Sequence, residues 1–403
     1  MKVLVINSGS SSIKYQLFGM LDKTVLAAGL LEQIGETESR LTHNSRDEQG
    51  AMIKIVKSQP VPTHQAGFQL IAAVLNESGA VHDSSQLHGI GHRVVHGGEK
   101  FREPTIINPQ VIAAIRQLIP LAPLHNPANL LGIEVALAAA PQVPQVAVFD
   151  TAFHHSLPPW AFRYALPQNL YEDHQVRRYG FHGTSHCYVA KQAALYLDRP
   201  LDSLNLITLH LGNGASVTAI ENGRSIDTSM GMTPLDGLIM GTRSGDIDPA
   251  IIFYLGSQAG YAADGIESLL NKQSGLKGIC GVNDMREIGR LSDQGDQMAR
   301  LAIDMYCYRI KKYIGAYSAA LGRVDALVFT GGVGENAAAI RAQCCKGLTR
   351  LAIELDADKN SRPTGGIFEI QSETATVNIL VIPTNEELEI AEQTVERIKT
   401  VNR

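Results

Sequence analysis

The strongest constraint on the fold is a strand–turn–strand pattern that occurs twice in the chain. An apolar strand runs into a turn of small polar residues and continues as a second strand, in VLVINSGSSSIKYQLF (3–18) and in LITLHLGNGASVTAI (206–220). In the alignment of the two copies Gly9 matches Asn213, and we expect a positive φ at both because Gly and Asn tolerate it best. Turns of this composition leave backbone N–H groups and hydroxyls free to bind anions. The pattern predicts a duplicated domain with a phosphate held between the two halves.

Composition and charge narrow the class of protein. With 403 residues, 44% of them hydrophobic and 19% charged, the chain is long enough for two or three globular domains. The net charge of −5 argues against nucleic acid or a membrane surface as a partner. The sequence has no signal-peptide pattern after Met1 and no apolar run of about 18 residues. The five cysteines include no CxxC pair, so we expect reduced thiols and a cytoplasmic location.

Apolar runs and turn residues predict strands and helices that alternate along the chain. The predicted strands are 3–7, 12–18, 90–95, 145–150, 206–211, 215–220, 326–330 and 377–382. Asn108 and Asp248, each followed by proline, are expected to cap helices. We expect a long helix at 296–320, and a capping box of Thr384 and Glu387 at the start of the last helix.

Two α/β domains are expected. A second pair of similar strands, VAVFDT (146–151) and ALVFTGG (326–332), supports the duplication. We place the boundary near residue 150, which gives a first domain of residues 1–150 plus 385–403 and a second domain of residues 151–384. The last helix is assigned to the first domain because an isolated terminal helix needs a surface to pack on.

A glycine-rich motif, FTGGVGEN, follows a predicted strand at residues 329–336. We expect a helix to begin near Glu335, with free N–H groups at its start that could bind an anion or a nucleotide. The alternative is a structural turn that needs glycine for a positive φ. The chain has no GxxxxGK[ST] motif and no GxGxxG after its first strand, which excludes a P-loop enzyme and weakens a dinucleotide-binding function.

Several charged or polar residues stand where ligands often bind. Arg93 in GIGHRVVHGGE and Arg243 in IMGTRSGDIDP lie among glycines, and a guanidinium there offers a planar fork to a carboxylate or a phosphate. A surface ion pair is the alternative for each. Asp150 follows an apolar strand at its carboxyl end, where α/β sheets bind ligands. Asn7 could hold Mg²⁺ or its waters, and Glu386 lies in the first turn of a helix, where the dipole favours a carboxylate.

The spacing of histidines resembles that of some metal sites. His88, His92 and His96 recur every four residues, but their Gly- and Val-rich surroundings predict a strand. Because HExxH is absent and no cysteine lies at ligand spacing, we disfavour zinc. His182, in RRYGFHGTSH, precedes a helix that we expect Thr184 or Ser185 to cap, and it suits either a place beside an anion or a buried hydrogen bond.

Together these motifs resemble those of the acetokinase family. In chain order from residue 3 to about 390 they are NSGSSSIK, GHRVVHGGE, PLHNP, FDTAFH, RRYGFHGTSH, HLGNGAS, DTSMGMTPLDG, MGTRSGDIDP, FTGGVGEN and PTNEE. The resemblance implies an actin-like α/β fold of two ribonuclease-H-like domains, with an active site in the cleft between them, and a homodimer. It also implies Mg²⁺-dependent phosphoryl transfer from ATP to acetate, giving acetyl phosphate and ADP, with Mn²⁺ as a substitute metal.

The resemblance further implies roles for individual residues. The catalytic positions are Asp150, His182 and Arg243. The acetate positions are Arg93, which would hold the carboxylate, and Val95, Leu124, Phe181 and Pro234, which would surround the methyl group. The nucleotide and phosphate positions are Ser10, Ser12, Lys14, His210, Leu211, Gly212, Asn213, Gly214, Asp284, Met285, Arg286, Gly331, Gly332, Val333, Gly334 and Glu335. The metal positions are Asn7 and Glu386.

The acceptor carries no proton at neutral pH, because the pKa of a carboxylic acid is about 4. We therefore expect Asp150 to orient Arg93 or the metal's waters rather than to act as a general base. Val95 favours acetate, but one methylene discriminates by only about 10–200-fold, so propionate kinase is an alternative. A sugar or glycerol kinase, an actin-like filament or chaperone ATPase and a zinc hydrolase are further alternatives. Acetate-dependent turnover distinguishes the kinase from the filament and chaperone ATPases.

Overall fold

The computed structural model describes residues 1–46, 50–362 and 365–401, which form two compact units. The first unit consists of Met1–Ala152 and Asn385–Arg403, and the second of Phe153–Thr384. Each unit contains one β-sheet with helices packed against it. The chain is therefore α/β, as its alternating apolar runs predicted. In the described ranges, no helix is both long enough and apolar enough to cross a membrane.

Within the described residues, the sheet of the first unit has eight strands. They are β1 (Lys2–Ser8), β2 (Ser12–Gly19), β3 (Thr24–Glu32), β4 (Ser39–Arg46), β5 (Met52–Gln59), β6 (Gly89–Val94), β7 (Thr105–Ile106) and β8 (Gln145–Phe149). Their order across the sheet is β5-β4-β3-β2-β1-β6-β8-β7. The first three helices are α1 (His64–Glu77), α2 (Pro109–Gln117) and α3 (Asn126–Ala139).

In the part of the chain that the structure describes, the sheet of the second unit has six strands. They are β9 (Asn205–Leu211), β10 (Ala215–Glu221), β11 (Arg224–Thr228), β12 (Ala326–Thr330), β13 (Phe368–Glu369) and β14 (Asn378–Val381), in the order β11-β10-β9-β12-β14-β13. The helices are α4 (Pro159–Phe162), α5 (Gln168–His174), α6 (Gly183–Tyr196), α7 (Ala250–Gln258), α8 (Ala263–Lys272), α9 (Gly275–Cys280), α10 (Met285–Asp293), α11 (Gln297–Leu321), α12 (Gly331–Asn336), α13 (Ala338–Cys345) and α14 (Ala357–Ser361).

Both sheets contain the same five-stranded topology. In the first unit β3, β2 and β1 are antiparallel neighbours, and β6 and β8 continue the sheet parallel to β1. In the second unit β11, β10 and β9 are antiparallel neighbours, and β12 and β14 continue it parallel to β9. This repeated order confirms the predicted duplication, and the two aligned patterns form the first hairpin of each sheet.

The second pair of strands was matched wrongly in the sequence. VAVFDT forms β8, which is separated from β1 by β6, whereas ALVFTGG contains β12, which pairs directly with β9. By position in the sheet, the counterpart of β12 is therefore β6, and that of β8 is β14. Apolar strands resemble one another too closely for composition alone to distinguish neighbours in a sheet.

The last helix, α15 (Glu386–Val401), packs on the sheet of the first unit. Its Ile390, Ala391, Val395 and Ile398 share one apolar cluster with side chains of β1, β2 and β8. Glycine in β6 permits this close packing, because a Cβ at Gly91 would lie 2.8 Å from Ile390 Cγ2. The GIG sequence of β6 is thus explained by the approach of a helix.

The predicted helix ends are partly confirmed. Asn108 caps α2 by accepting a hydrogen bond from Val111 N at 2.9 Å, and the long helix was predicted within one residue at each end. The prediction for α7 was shifted, since Asp248 accepts from Ala250 N and the helix begins after Pro249.

The capping box at α15 was wrong. Asn385 is the cap, because its Oδ1 accepts from Leu388 N at 3.0 Å. The Thr384 hydroxyl instead contacts Ser185, and the Glu387 carboxylate forms an ion pair with Lys14. Tertiary partners of both side chains replaced the local ones that the box requires.

Candidate active site

Arg93, which is half-buried, and Asp150, which is buried, form an ion pair in the first unit. Arg93 lies in β6 and Asp150 directly follows β8, so the parallel strands bring both residues to the carboxyl edge of the sheet. Arg93 Nε donates to both Asp150 carboxylate oxygens at 3.1 Å, and Nη2 donates to Oδ2 at 2.6 Å. Burial opposes the charge of Arg93, but the charges of Asp150 and Glu386 raise its pKa above the usual value. Arg93 is thus a fixed cation oriented by Asp150.

Carboxylates and a lysine surround this pair. Lys14 forms an ion pair with Glu387, and Asn7 is the direct partner of Lys14 in the β1–β2 register, so the two side chains share a face. Burial, with the charges of Asp150 and Glu387, raises the pKa of Glu386 to about 7, although Arg93 and Lys14 act in the opposite direction.

Asn7 and Glu386 fit the donor set of a hard divalent cation. Both offer oxygen, and neither side chain makes a hydrogen bond within the described ranges, so their oxygens are available to a ligand. The described residues contain no group of three or more His, Cys, Asp or Glu side chains arranged to hold a metal. Mg²⁺ typically binds one or two protein oxygens together with waters and substrate phosphates, so a sparse site suits it.

The clustered histidines have other partners. His92 lies in β6, so the four-residue spacing does not form a helical face, and its Nε2 hydrogen-bonds to Gln145 Oε1 at 2.7 Å. His88 Nδ1 accepts from Lys2 N at 3.1 Å. The backbone of His96 is held by Asn126, which accepts from its N–H and donates to its carbonyl at 3.1 Å.

The turn of the first hairpin contains Ser10 and leads into Ser12 and Lys14. It is closed by Gly9 N, which donates to Ser12 O at 2.8 Å, and by His64 at the start of α1, which donates to Gly9 O at 2.7 Å. The predicted positive φ at Gly9 is wrong, since Gly9 is not among the left-handed residues. The small size of glycine matters instead, because a Cβ at this position would lie 3.1 Å from Ser12 Oγ.

His182 and Arg243 converge on Gly214 in the second unit. A Cβ at Gly214 would lie 3.4 Å from His182 Nε2 and 3.7 Å from Arg243 Nη1. Among the described residues, the Arg243 side chain hydrogen-bonds to Pro234 O at 3.4 Å and to Met240 Sδ at 3.9 Å, and burial lowers the pKa of Arg243. No carboxylate in the described part of the chain pairs with it. An imidazole and an uncompensated guanidinium beside a glycine form a place for an anion.

The surroundings of His182 differ from the sequence prediction. His182 itself is the N-cap of α6, with a φ of 56°, and Thr184 and Ser185 lie in the first turn. Its Nδ1 lies 2.9 Å from Ser216 Oγ, and its ring stacks on that of His210 at a centroid distance of 4.3 Å. Ser185 is not free to cap because its hydroxyl contacts His210 Nδ1.

The turn of the second hairpin anchors two other segments. Gly212 N donates to Gly214 O at 3.0 Å, and Asn213 O accepts from Gly241 N at 2.9 Å. Asn213 Oδ1 accepts from Asn283 Nδ2 at 3.3 Å. The positive φ predicted for Asn213 is wrong, so its polar groups, not its backbone freedom, account for its place in the turn.

The FTGGVGEN motif begins its helix earlier than predicted. α12 starts at Gly331, whose φ of 77° satisfies the glycine-turn explanation. A Cβ there would lie 2.8 Å from Leu211 O, so the turn packs directly on β9. Glu335 Oε1 accepts from Gly331 N at 3.0 Å and from Thr384 N at 3.1 Å. Its carboxylate therefore fixes the turn.

A cavity of about 2160 Å³ lies within the second unit. The predicted nucleotide residues that line it are Gly212, Asn213, Asp284, Met285, Arg286, Gly332 and Val333. The remaining ones in this unit, His210, Leu211, Gly214, Gly331, Gly334 and Glu335, do not belong to its lining. Asp284 caps α10, and its hydrogen bonds with Arg286 lower its pKa to about 2.

The four residues predicted to surround the methyl group are divided between the units. Val95 and Leu124 belong to the first unit, and Phe181 and Pro234 to the second. Val95 and Phe181 are buried, whereas the side chain of Leu124 is 54% exposed.

A family model described as the acetokinase family matches residues 2–392. The chain belongs to this family. It is 56% identical over 401 residues to an acetate kinase of Syntrophobacter fumaroxidans, covering 99% of the chain and 97% of that relative. A solved acetate kinase of Porphyromonas gingivalis has a TM-score of 0.93 at 45% identity, with 98% and 99% of the two chains covered. A propionate kinase of Francisella tularensis has a TM-score of 0.91 at 44% identity, with the same coverage.

Within this acetokinase chain, the residues missed from the sequence are mostly supports of the candidate groups. Asn129 accepts from Val95 N at 3.0 Å and donates to Ser8 O at 2.8 Å, and so ties β6 to β1. The PLHNP motif supplies Asn126, which holds His96. The sequence signal that could have identified Asn126 and Asn129 is their position in the first turn of α3, where two polar side chains stand in a mostly apolar helix.

Proposed function

We propose that the chain transfers the γ-phosphoryl group of ATP to acetate, reversibly and in a single in-line step, giving acetyl phosphate and ADP. The observation that carries the proposal is the convergence of His182 and uncompensated Arg243 on Gly214 in a member of the acetokinase family. Phosphoryl transfer depends on positioning and on stabilising charge, and these two donors supply both.

Arg93 holds the acetate carboxylate in this proposal. Nε and Nη2 of Arg93 donate hydrogen bonds to Asp150. Nη1 of Arg93 makes no hydrogen bond in the described ranges and is therefore available to the acetate carboxylate. Asp150 is a positioning residue, because acetate is already ionised at neutral pH and needs no general base. Val95, Leu124, Phe181 and Pro234 are assigned to the methyl group.

Arg243 and His182 bind the transferred phosphoryl group, where negative charge spreads over the equatorial oxygens. Ser10, Ser12 and Lys14 are assigned to the phosphates. Asn7 and Glu386 would hold Mg²⁺, with Mn²⁺ as a substitute. When bound, the metal neutralises charge on the phosphate oxygens.

The nucleotide is assigned to the cavity of the second unit. Its lining includes the Gly212–Asn213 turn, the Asp284–Arg286 start of α10 and Gly332 of α12. Backbone N–H groups at these turns and helix starts suit phosphate oxygens. The other predicted nucleotide residues of this unit are assigned a supporting role, in which they hold the residues that line the cavity. They are His210, Leu211, Gly214, Gly331, Gly334 and Glu335.

We also propose a homodimer in the cytoplasm, with neither nucleic acid nor membrane as a partner. Helix α7 supports the dimer, since it buries none of its residues and leaves Phe253 75% and Tyr254 64% exposed. Apolar surface of this kind is typical of a protein interface. The net charge of −5 supports the absence of polyanionic partners.

Propionate is the second candidate acceptor. The similarity to the propionate kinase of Francisella tularensis favours it, while Val95 favours acetate because a branched side chain at a position assigned to the methyl group would leave less room for a longer acid. Some activity with propionate is expected, because one additional methylene group in the substrate changes kcat/KM by only about 10–200-fold.

Trapping of the acyl phosphate tests the proposal. Purified protein is incubated with MgATP and acetate, propionate or butyrate, and hydroxylamine converts any acyl phosphate to a coloured hydroxamate. We expect the strongest product with acetate and a weaker one with propionate. A sugar kinase would consume ATP with glucose or glycerol instead, and a filament or chaperone ATPase would hydrolyse ATP at the same rate with or without acetate.

A further inference from the structure

We propose that Ser216 and His186 set the tautomer of His182, so that His182 presents an N–H at Nε2 to the transferred phosphoryl group. This inference rests on the proposed function and deepens it. Ser216 Oγ lies 2.9 Å from His182 Nδ1 and 2.8 Å from His186 Nε2. Ser216 and His186 are both completely buried. A hydroxyl has a single proton, so Ser216 donates to one ring and accepts from the other.

The chain of hydrogen bonds continues to Thr208. Its Oγ1 lies 2.7 Å from His186 Nδ1, on the side of the ring away from Ser216. Burial lowers the pKa of His186 well below its usual value, so the ring is neutral, with one N–H and one lone pair. When Thr208 donates to Nδ1, His186 Nε2–H donates to Ser216, and the Ser216 hydroxyl donates to His182 Nδ1. The proton of His182 then resides at Nε2.

The surroundings of His182 favour this direction. Protonation of both ring nitrogens is disfavoured by Arg243, whose Nη1 approaches the same point at Gly214 as His182 Nε2. It is also disfavoured by the positive end of the α6 dipole, because His182 is the N-cap of that 14-residue helix. The other neutral tautomer would aim a lone pair at the anion that Arg243 attracts.

Ser216 and His186 are therefore positioning residues, and His182 acts as a hydrogen-bond donor. This assignment agrees with the chemistry, because the acetate acceptor has no proton to lose and a base at this position would have no task. The rigid relay also explains why three polar residues are buried beneath the site.

The kinetic test uses Ser216→Ala and Ser216→Thr. Removing the hydroxyl releases His182 from its tautomer, and we expect kcat to fall roughly tenfold while the KM values for acetate and ATP change by less than about twofold. Threonine keeps the hydroxyl and is expected to restore kcat. The matched control is Ser78→Ala, which deletes a buried serine–histidine hydrogen bond of 3.1 Å to His43 in the first unit. The control is expected to leave kcat unchanged.

The spectroscopic test reads the tautomer directly. In ¹⁵N-histidine-labelled protein, long-range ¹H–¹⁵N spectra distinguish a protonated from an unprotonated ring nitrogen, and the signals lost in His182→Gln identify the ring. We expect Nε2 of His182 to be protonated and Nδ1 unprotonated in the unaltered protein, and a mixture in Ser216→Ala. A protonated Nδ1 in the unaltered protein overturns the proposal, as does a kcat of Ser216→Ala no lower than that of Ser78→Ala.

These readouts separate the inference from the proposed function. An unaltered protein that forms no acyl phosphate refutes the function, whereas the tautomer of His182 is measured without turnover. If Ser216→Ala does not fold, the spectrum of the unaltered protein still decides the question, because a protonated Nδ1 on His182 overturns the proposal.

Discussion

Replacing Gly214 with alanine puts a methyl group where His182 and Arg243 converge, without straining the fold. The added Cβ would lie 3.4 Å from His182 Nε2 and 3.7 Å from Arg243 Nη1, which are ordinary contact distances. Gly214 is not among the residues with a positive φ, so alanine can adopt its backbone conformation. We expect the free energy of unfolding to change by less than about 1 kcal/mol.

The functional cost should be much larger. A phosphoryl oxygen must approach both donors within hydrogen-bond distance, and the methyl group occupies that space. Losing one preorganised donor to a developing oxyanion costs about 2.7–4 kcal/mol, or roughly 10²–10³ in kcat. We therefore expect Gly214→Ala to lower kcat by about 10²–10³ and to leave the KM for acetate nearly unchanged, because that contact is assigned to Arg93.

Steady-state kinetics and thermal unfolding of the variant check this prediction. Gly315→Ala is the matched control, because a Cβ at Gly315 in α11 would meet no heavy atom of the described residues within 4 Å beyond its chain neighbours and the adjacent backbone of its own helix. Alanine there should raise stability by up to about 1 kcal/mol and leave kcat unchanged. A Gly214→Ala protein with kcat within about threefold of the original would refute the placement of the phosphoryl group between His182 and Arg243.

Three further predictions concern the charged groups. Arg243→Lys should lower kcat strongly with little change in the acetate KM, because an ammonium cannot replace the guanidinium fork; near-normal kcat would remove Arg243 from the transition state. Asp150→Asn should raise the acetate KM by releasing Arg93, and a defect that disappears at high pH would instead indicate a general base. The pKa of Glu386 is raised from 4.5 to about 7, so between these pH values the carboxyl keeps its proton in the folded protein and has lost it in the unfolded chain. This contribution of Glu386 to the free energy of unfolding is therefore complete below about pH 4.5, and at most about 3 kcal/mol of it is lost as the pH rises through 7. Denaturant unfolding at several pH values should show this loss in the unaltered protein and not in Glu386→Gln. The same pH dependence in both proteins would contradict the raised pKa.

The fold could be predicted where apolar runs end in distinctive turns. Strands β1, β2, β9 and β10 were located in this way, and their repetition predicted the duplication. The strands that were missed are β3, β4, β5, β7, β11 and β13. In β5, which lies at the edge of the sheet, the sequence MIKIVKSQ buries none of its residues, so neither a strict polar–apolar alternation nor a buried apolar run marks the strand.

The charged groups of the candidate site could be predicted from the sequence, whereas the polar residues that hydrogen-bond to them and hold them in place could not. Arg93, His182 and Arg243 stand in motifs that glycine makes conspicuous. Ser216 and Asn129 are ordinary polar residues in a strand and a helix, and only the fold brings them to their partners. Local rules also failed where a long-range partner competed, as in the ion pair of Glu387 with Lys14.

The most direct test follows the oxygen atoms of acetate. Acetate labelled with ¹⁸O in both carboxylate oxygens is incubated with MgATP and the protein, and the acyl phosphate is cleaved by hydroxylamine at its carbonyl carbon. Direct attack of acetate on the γ-phosphorus predicts that each released phosphate carries one ¹⁸O atom, detected by mass spectrometry. Phosphate free of ¹⁸O, formed at a rate independent of acetate, would show that the chain hydrolyses ATP with water and would contradict phosphoryl transfer to a carboxylate.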